Sequence, residues 1–190
     1  MSSPHRPLGS RSGLVLDTHD LGRRAGAMKL VRTTVDAPAD LGIDVIGVPP
    51  GSPVRLDLRL ESVVEGVLVT GTATVALRGE CVRCLGAIAG EQQIEVQELY
   101  VYPGSDATDE EASRLDGDLL DIQPLLRDDV VLDLPFQPLC GEECRGLCAE
   151  CGTNLNSEPD HAHEGGVDPR WEKLRALEGI SNKSYDVDSN

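Results

Sequence analysis

Two clusters of cysteine constrain this chain more than any other feature. Cys81-Val-Arg-Cys84 lies near the middle, and Cys140-x3-Cys144-x3-Cys148-x2-Cys151 follows, running into Gly152-Thr-Asn-Leu-Asn156. Thiolate is a soft ligand that suits zinc. A C-x-x-C turn sets two sulfurs on one side of a tight knuckle, where both reach one tetrahedral ion. A fold that satisfies these thiols must either bring the mid-chain knuckle to a segment some sixty residues later or close each cluster on itself.

The alternative to metal is disulfide, and compartment decides between them. The N-terminal residues Met1-Ser-Ser-Pro-His-Arg-Pro are polar and Pro-rich, and no apolar run of signal-peptide length follows. No stretch is long enough to span a membrane. The expected location is cytoplasmic, where thiols stay reduced and such spacings read as metal ligands.

Three pairings fit the spacing. Cys81 and Cys84 with Cys148 and Cys151 would make a two-knuckle ribbon and strand Cys140 and Cys144. Cys140, Cys144, Cys148 and Cys151 could close on one ion and leave Cys81 and Cys84 alone. The third adds His161-Ala-His163: six cysteines and two histidines give two tetrahedral sets. One is Cys81, Cys84, Cys140 and Cys144; the other is Cys148, Cys151, His161 and His163. This pairing is favoured because no thiol is orphaned, and because i and i+2 side chains of an extended segment point to one side. The bland reading of the histidines is a solvated Asp-His-Ala-His-Glu loop. Arg83, inside the first knuckle, and Arg145, after Cys144, are candidates to donate to thiolate sulfur and offset its charge.

Either way the expected cofactor is structural Zn2+, one ion or two. Four protein ligands leave no open position for water or substrate. There is no H-E-x-x-H pattern and no Gly-rich phosphate loop before a helix. The chain reads as a non-enzyme without a small-molecule substrate. A Cys81–Cys84 dithiol switch is the redox alternative, but it lacks the βαβ context that usually carries one.

Periodicity predicts an α+β fold built on a curved antiparallel meander, with a few short helices and a zinc-pinned C-terminal segment. In Arg55–Glu61, Leu56, Leu58 and Leu60 alternate with Arg55, Asp57, Arg59 and Glu61. In Val67–Leu77, Val67, Val69, Ala73, Val75 and Leu77 share a face. Alternation resumes at Ile94 and runs to Val101, so Cys81 and Cys84 fall at a hairpin tip. Leu14–Asp17 and parts of 28–48 are weaker strand candidates. A helix is predicted over 122–132, with Asp121 as N-cap, Pro124 in the first turn and Pro135 as its stop. A second is predicted from Asp168, with Pro169 at its first position, Trp171, Leu174 and Leu177 on one face, and Gly179 closing it. Residues 104–118 hold six acids and one arginine, a flexible acidic loop. Residues 1–13 form a basic N-terminus read as disordered, as is the polar tail 180–190.

Net charge is −16, unevenly spread. Residues 1–34 hold six basic and two acidic side chains, whereas the rest hold 11 basic and 31 acidic. Such a surface repels a phosphate backbone, and the chain has few aromatics for stacking bases. A basic protein is the easier partner. Direct RNA contact would fall to Arg6, Arg11, Arg23, Arg24, Lys29 and Arg32.

Taken together, Cys81-Val-Arg-Cys84-Leu85, Leu120-Asp121-Ile122, Leu134-Pro135, Cys140-x3-Cys144-Arg-Gly-Leu-Cys148-x2-Cys151-Gly-Thr-Asn-Leu-Asn156 and Asp168-Pro169-Arg170 with Leu174 resemble the YceD family, the large ribosomal RNA subunit accumulation proteins of bacteria. The resemblance spans roughly residues 14–178, and residues 14–179 then read as a single YceD-like domain with its metal-binding segment at 140–163. It implies a cytoplasmic accessory factor in synthesis, processing or stability of 23S ribosomal RNA. The implied partner is a basic large-subunit ribosomal protein or a pre-ribosomal particle, with 23S rRNA contact as a further expectation. Many members with the full cluster carry C-x-C after Asn-Leu-Asn; His161-Ala-His163 stands in that place here.

Overall fold

The computed structural model describes residues 13–105 and 113–163. The expected disorder of residues 1–12 and 180–190 and the helix predicted from Asp168 lie outside them. The chain divides into two compact units, Met1–Gly146 and Leu147–Asn190.

The first unit is built on one open, antiparallel sheet. Strands β2 (Met28–Asp36), β5 (Pro53–Ser62), β6 (Gly66–Glu80) and β7 (Ala87–Val101) lie side by side in that order. Two-residue strands β3 (Gly42–Ile43) and β4 (Ile46–Gly47) extend the far end of β6. A separate ribbon pairs β1 (Val15–Asp17) with β8 (Leu119–Asp121).

The register explains why alternation was legible. Leu56, Leu58 and Leu60 of β5 are buried, and the intervening Arg55, Asp57 and Arg59 are exposed. On β6, Val67, Val69, Ala73, Val75 and Leu77 are buried. Both faces point to one core, closed by Leu14, Leu16, Leu21, Leu120, Ile122, Leu126, Val130 and Leu134 from the covering elements. The opposite sheet face is left to solvent, as a single-sided antiparallel sheet allows. Tyr100 anchors the cover by donating its hydroxyl to the Asp121 carbonyl at 3.0 Å.

Helix α1 spans Gln123–Asp133, one residue later than expected at each end. Its N-cap position is Ile122, not Asp121, because Asp121 is consumed as the last residue of β8. The Asp121 carboxylate still accepts the Gln123 N–H at 2.9 Å, so the predicted capping chemistry acts from one residue further out. Pro124 lies in the first turn and the chain leaves the helix at Leu134, before Pro135.

Of the acidic stretch 104–118, residues 106–112 lie outside the described ones. The remainder is tied to the sheet: Ser113 accepts the Val101 N–H, the Leu115 N–H returns to the Val101 carbonyl, and Leu115 is buried.

Candidate metal centres

The β6–β7 hairpin closes at the pair Glu80–Ala87, and the six residues between carry the first knuckle. Cys81 N–H donates to Gly86 O at 2.8 Å, and Leu85 N–H donates to Cys81 O at 2.8 Å. The same two bonds recur in the second unit: Cys148 N–H to Thr153 O at 2.8 Å, and Gly152 N–H to Cys148 O at 2.9 Å. Both turns need a left-handed residue just after the second cysteine. Gly152 supplies it at φ 77°; in the first knuckle Leu85 does so at φ 56°, where a Cβ is unfavourable.

The structure brings the eight expected donors together as two sets of four. Cys81, Cys84, Cys140 and Cys144 form one, and Cys148, Cys151, His161 and His163 form the other; within each, all donor atoms lie within 4.8 Å of one another. Each set lies wholly inside one compact unit. None of the six cysteines is in a disulfide.

In the first set, Cys81 Sγ and Cys144 Sγ are 3.7 Å apart, and Cys84 Sγ and Cys140 Sγ are 3.6 Å apart. A tetrahedral ion with metal–sulfur bonds of about 2.3 Å requires sulfur–sulfur edges of about 3.8 Å. Cys81, Cys84 and Cys144 are buried, and Cys140 is exposed. The second sequence segment is held to the knuckle by Val82 N–H donating to Pro138 O at 3.0 Å, and by Arg83 Nη1 donating to Cys144 O at 3.1 Å. That Arg83 donor therefore reaches a backbone carbonyl where the sequence suggested a sulfur: the guanidinium spans the gap between the two cysteine segments.

In the second set, Cys148 Sγ lies 3.2 Å from His163 Nε2, Cys151 Sγ 3.1 Å from His161 Nε2, and the two Nε2 atoms 3.0 Å apart. A zinc tetrahedron with these donors would have edges of about 3.3–3.6 Å, so the cluster is a few tenths of an ångström tight but correctly shaped. Both rings aim Nε2 inward. Their Nδ1 atoms face carboxylates, His163 toward Glu150 at 3.4 Å and His161 toward Glu158 at 3.9 Å. Negative charge on that side favours a proton on Nδ1, the tautomer that leaves Nε2 open to a metal.

The electrostatics of both sets favour a dication. Burial acts to raise the Cys81 thiol, but N–H groups of Cys84, Cys140 and Arg83 outweigh it and bring it down to about 6. Its neighbours cannot follow. Contacts with Cys144, Cys84 and Cys81 push Cys140 up to about 12. For Cys84, the Gly86 N–H favours the thiolate, yet burial and the Cys81 and Cys144 sulfurs raise it overall. Four thiols this close share protons unless a cation compensates them. In the second set the N–H groups of Cys151 and Glu150 bring Cys148 down to about 7, the Thr153 hydroxyl lowers Cys151, and the Cys148 and Cys151 sulfurs raise His163.

The donor chemistry fits a divalent metal in each set. Sequence reasoning placed all eight donors but missed Glu150, Glu158 and the left-handed Leu85. Glu158 carried a signal, since an acid three residues before a histidine motif is a candidate outer partner, whereas Glu150, inside the Cys148–Cys151 knuckle, carried none.

Fold and donors define a class: an open antiparallel-sheet protein in which a hairpin knuckle and a compact Cys/His turn each present four protein ligands for a metal ion. The chain belongs to the family described as large ribosomal RNA subunit accumulation protein YceD, whose model matches residues 69–178, the stretch from β6 through both donor sets. It is 44% identical over 187 residues to an uncharacterized protein of Mycobacterium tuberculosis, covering 94% of this chain and 89% of that one. It is 25% identical over 128 residues to the uncharacterized protein YlbN of Bacillus subtilis, covering 66% and 74% of the two chains. A maize protein named large ribosomal RNA subunit accumulation protein YCED homolog 1, chloroplastic, is 32% identical over 71 residues, 37% of this chain and 20% of its own. No solved structure matches.

Proposed function

We propose that this protein is a non-enzymatic accessory factor in the synthesis, processing or stability of 23S ribosomal RNA, acting by holding a basic large-subunit ribosomal protein or assembly intermediate. Both donor sets would carry zinc as a structural ion. The observation that carries the reading is the closed four-donor geometry of both sets within a family named for ribosomal RNA accumulation. Four protein ligands fix a fold; they leave a substrate nowhere to bind the metal.

The acidic balance of −16 supports a basic protein as the partner over naked RNA. Basic side chains of the N-terminal segment point the same way. Arg23 sits over the Tyr102 ring at 4.8 Å, Lys29 pairs with Asp20 at 3.2 Å, and Arg32 pairs with Asp57 at 3.1 Å. These exposed pairs set an acid beside Lys29 and Arg32, which lowers the net positive charge they offer to a phosphate backbone. No helix among the described residues is long and apolar enough to cross a membrane.

The test is affinity capture of the tagged protein from cells at about 0.3 M salt, where phosphate-driven contacts weaken steeply. Recovery of a basic ribosomal protein or precursor particle is expected. Recovery of naked 23S RNA with no ribosomal protein would overturn the reading.

A further inference from the structure

Strand β7 pairs with β6 along its whole length, from Glu80–Ala87 to Gly66–Val101. Its other edge carries no strand among the described residues from Ala87 to Tyr100; only Val101 is bridged, to Arg114. An unpaired edge of this length exceeds a typical strand of about six residues, and it exposes a row of backbone donors and acceptors.

The edge is not neutral. β7 contains Glu91, Glu95 and Glu98 and no basic residue. The neighbouring helix adds Asp128, Asp129 and Asp133. Between strand and helix an open pocket of about 340 Å³ is lined by Gln93, Ile94, Glu95, Asp129, Leu132 and Asp133. Gln93, Ile94 and Glu95 are consecutive in the strand whose other edge is unpaired, and the helix residues form the pocket's other wall.

The pocket holds unbalanced negative charge. Asp129 Oδ2 is shielded from solvent and has no hydrogen-bond partner. Burial raises its carboxyl above the ordinary range, with Glu98 and Asp128 adding to the effect. Of the strand's acids Glu91 is paired, with Arg55 at 3.1 Å, which leaves Glu95, Asp129 and Asp133 to the pocket; Arg127 of the helix is drawn off to Asp40 at 3.7 Å. Leu132, 79% exposed, supplies an apolar rim for the stem of a long side chain.

We infer that the free edge of β7 is the docking strip for an extended Lys/Arg-rich segment of a partner protein, which adds as a further strand and places one cationic side chain in the pocket over Asp129. The inference rests on the basic-partner reading above and names the surface that serves it. The same glutamates repel the edge of a second acidic copy, so the strip rejects self-association while accepting a basic strand. Backbone pairing supplies the register, and charge selects the sequence.

The probe is a fluorescein-labelled twelve-residue peptide alternating Lys with Val, titrated into the full-length metal-loaded protein at about 0.1 M salt, within the screening range of an exposed charge pair. Glu95→Lys/Asp133→Lys is expected to weaken binding at least tenfold. Asp36→Lys/Asp44→Lys, the same charge change on exposed residues away from the strip, is expected to stay within threefold of the parent. The peptide N-methylated on alternate amides, which cannot join a ladder, is expected to bind at least tenfold more weakly. Circular dichroism confirms that each variant is folded.

No binding of the Lys-Val peptide overturns the inference. Equal weakening by both charge reversals reduces it to net charge, and undiminished binding of the N-methylated peptide excludes strand addition; either result sinks it. Displacement of the peptide by a twelve-residue uridine RNA would assign the strip to nucleic acid and also overturn it. The two readings fail separately. If Glu95→Lys/Asp133→Lys still captures a basic ribosomal protein from cells, the docking strip is wrong and the basic-partner reading stands.

Discussion

Leu85 occupies the backbone position that Gly152 occupies in the second knuckle, with the same pair of hydrogen bonds around it. A left-handed conformation costs a residue with a Cβ about 1–2 kcal/mol, partly offset by the entropy a glycine would lose on folding. Leu85 is 63% exposed, so its side chain returns little by burial. Leu85→Gly is therefore expected to raise the thermal midpoint of the metal-loaded protein; a clear drop would show that the leucine makes contacts that outweigh its backbone strain. Gly71 is the opposite case. At φ 150° a Cβ there would lie 2.1 Å from the Asp57 carbonyl oxygen, inside the paired sheet. Gly71→Ala is expected to destabilise by about 3 kcal/mol or more, since neither strand can retreat without breaking its ladder. Denaturant unfolding measures it, and a loss under about 1 kcal/mol would contradict the packing described.

Asp129 carries a pH prediction. Its folded-state carboxyl is raised, first by burial and then by Glu98 and Asp128. A raised folded value means that the folded state holds the proton more tightly than the unfolded one. Its contribution is fully present below the unfolded value of about 4 and is lost as pH rises through the folded value. Asp129→Asn should stabilise the protein at pH 7, and the gain should vanish below about pH 4. Equal gains at both pH values would remove the electrostatic explanation.

At the scale of elements, the β6–β7 hairpin does most to place the chemistry. Strands β5 and β6 were legible because one face is buried: β5 alternates along its whole length, and β6 does so at Val67 and Val69 and again from Ala73 to Leu77, on either side of Gly71. The helix was legible through Pro124, Pro135 and its apolar spacing. What sequence could not show follows from short-range ambiguity. β3, β4 and β8 are two or three residues long, too short for a period to register. β8 also takes Asp121, which local chemistry assigned to the helix. The donors were legible because thiols and imidazoles are scarce and their spacing is tight. Spacing also favoured their division into two sets, because that orphans no thiol; the structure adds the Pro138 and Arg83 contacts that hold Cys140 and Cys144 to the hairpin knuckle.

The two units differ in what supports them. The sheet has a continuous apolar core, whereas no side chain of the described residues 147–163 is buried. A segment without a core gains its folding energy from metal ligation. In the first unit a metal would join residues 56 and 63 positions apart, and closing a loop of that size is worth about 4 kcal/mol in the chain-entropy view. Chelation is thus expected to abolish hydrogen-exchange protection at Cys148, Gly152 and His161 and to loosen residues 81–86. Amides of β5 and the β5-paired part of β6 should stay protected. Collapse of the whole sheet on chelation, or unchanged protection at Gly152, would contradict this division.

At the scale of the whole molecule, an acidic surface, an open sheet with a free acidic edge and two closed donor sets form one account. In the proposed function, a metal in the first set would hold the hairpin knuckle in place, and the protein would present charge to a partner. The central claim is the pair of separate four-donor metal sites. Native mass spectrometry of the full chain, purified without chelator near neutral pH, tests it most directly. The account predicts two zinc ions per chain, with Cys84→Ser and Cys148→Ser each retaining one. A metal-free mass with disulfides, or a single ion that survives both substitutions unchanged, would contradict it.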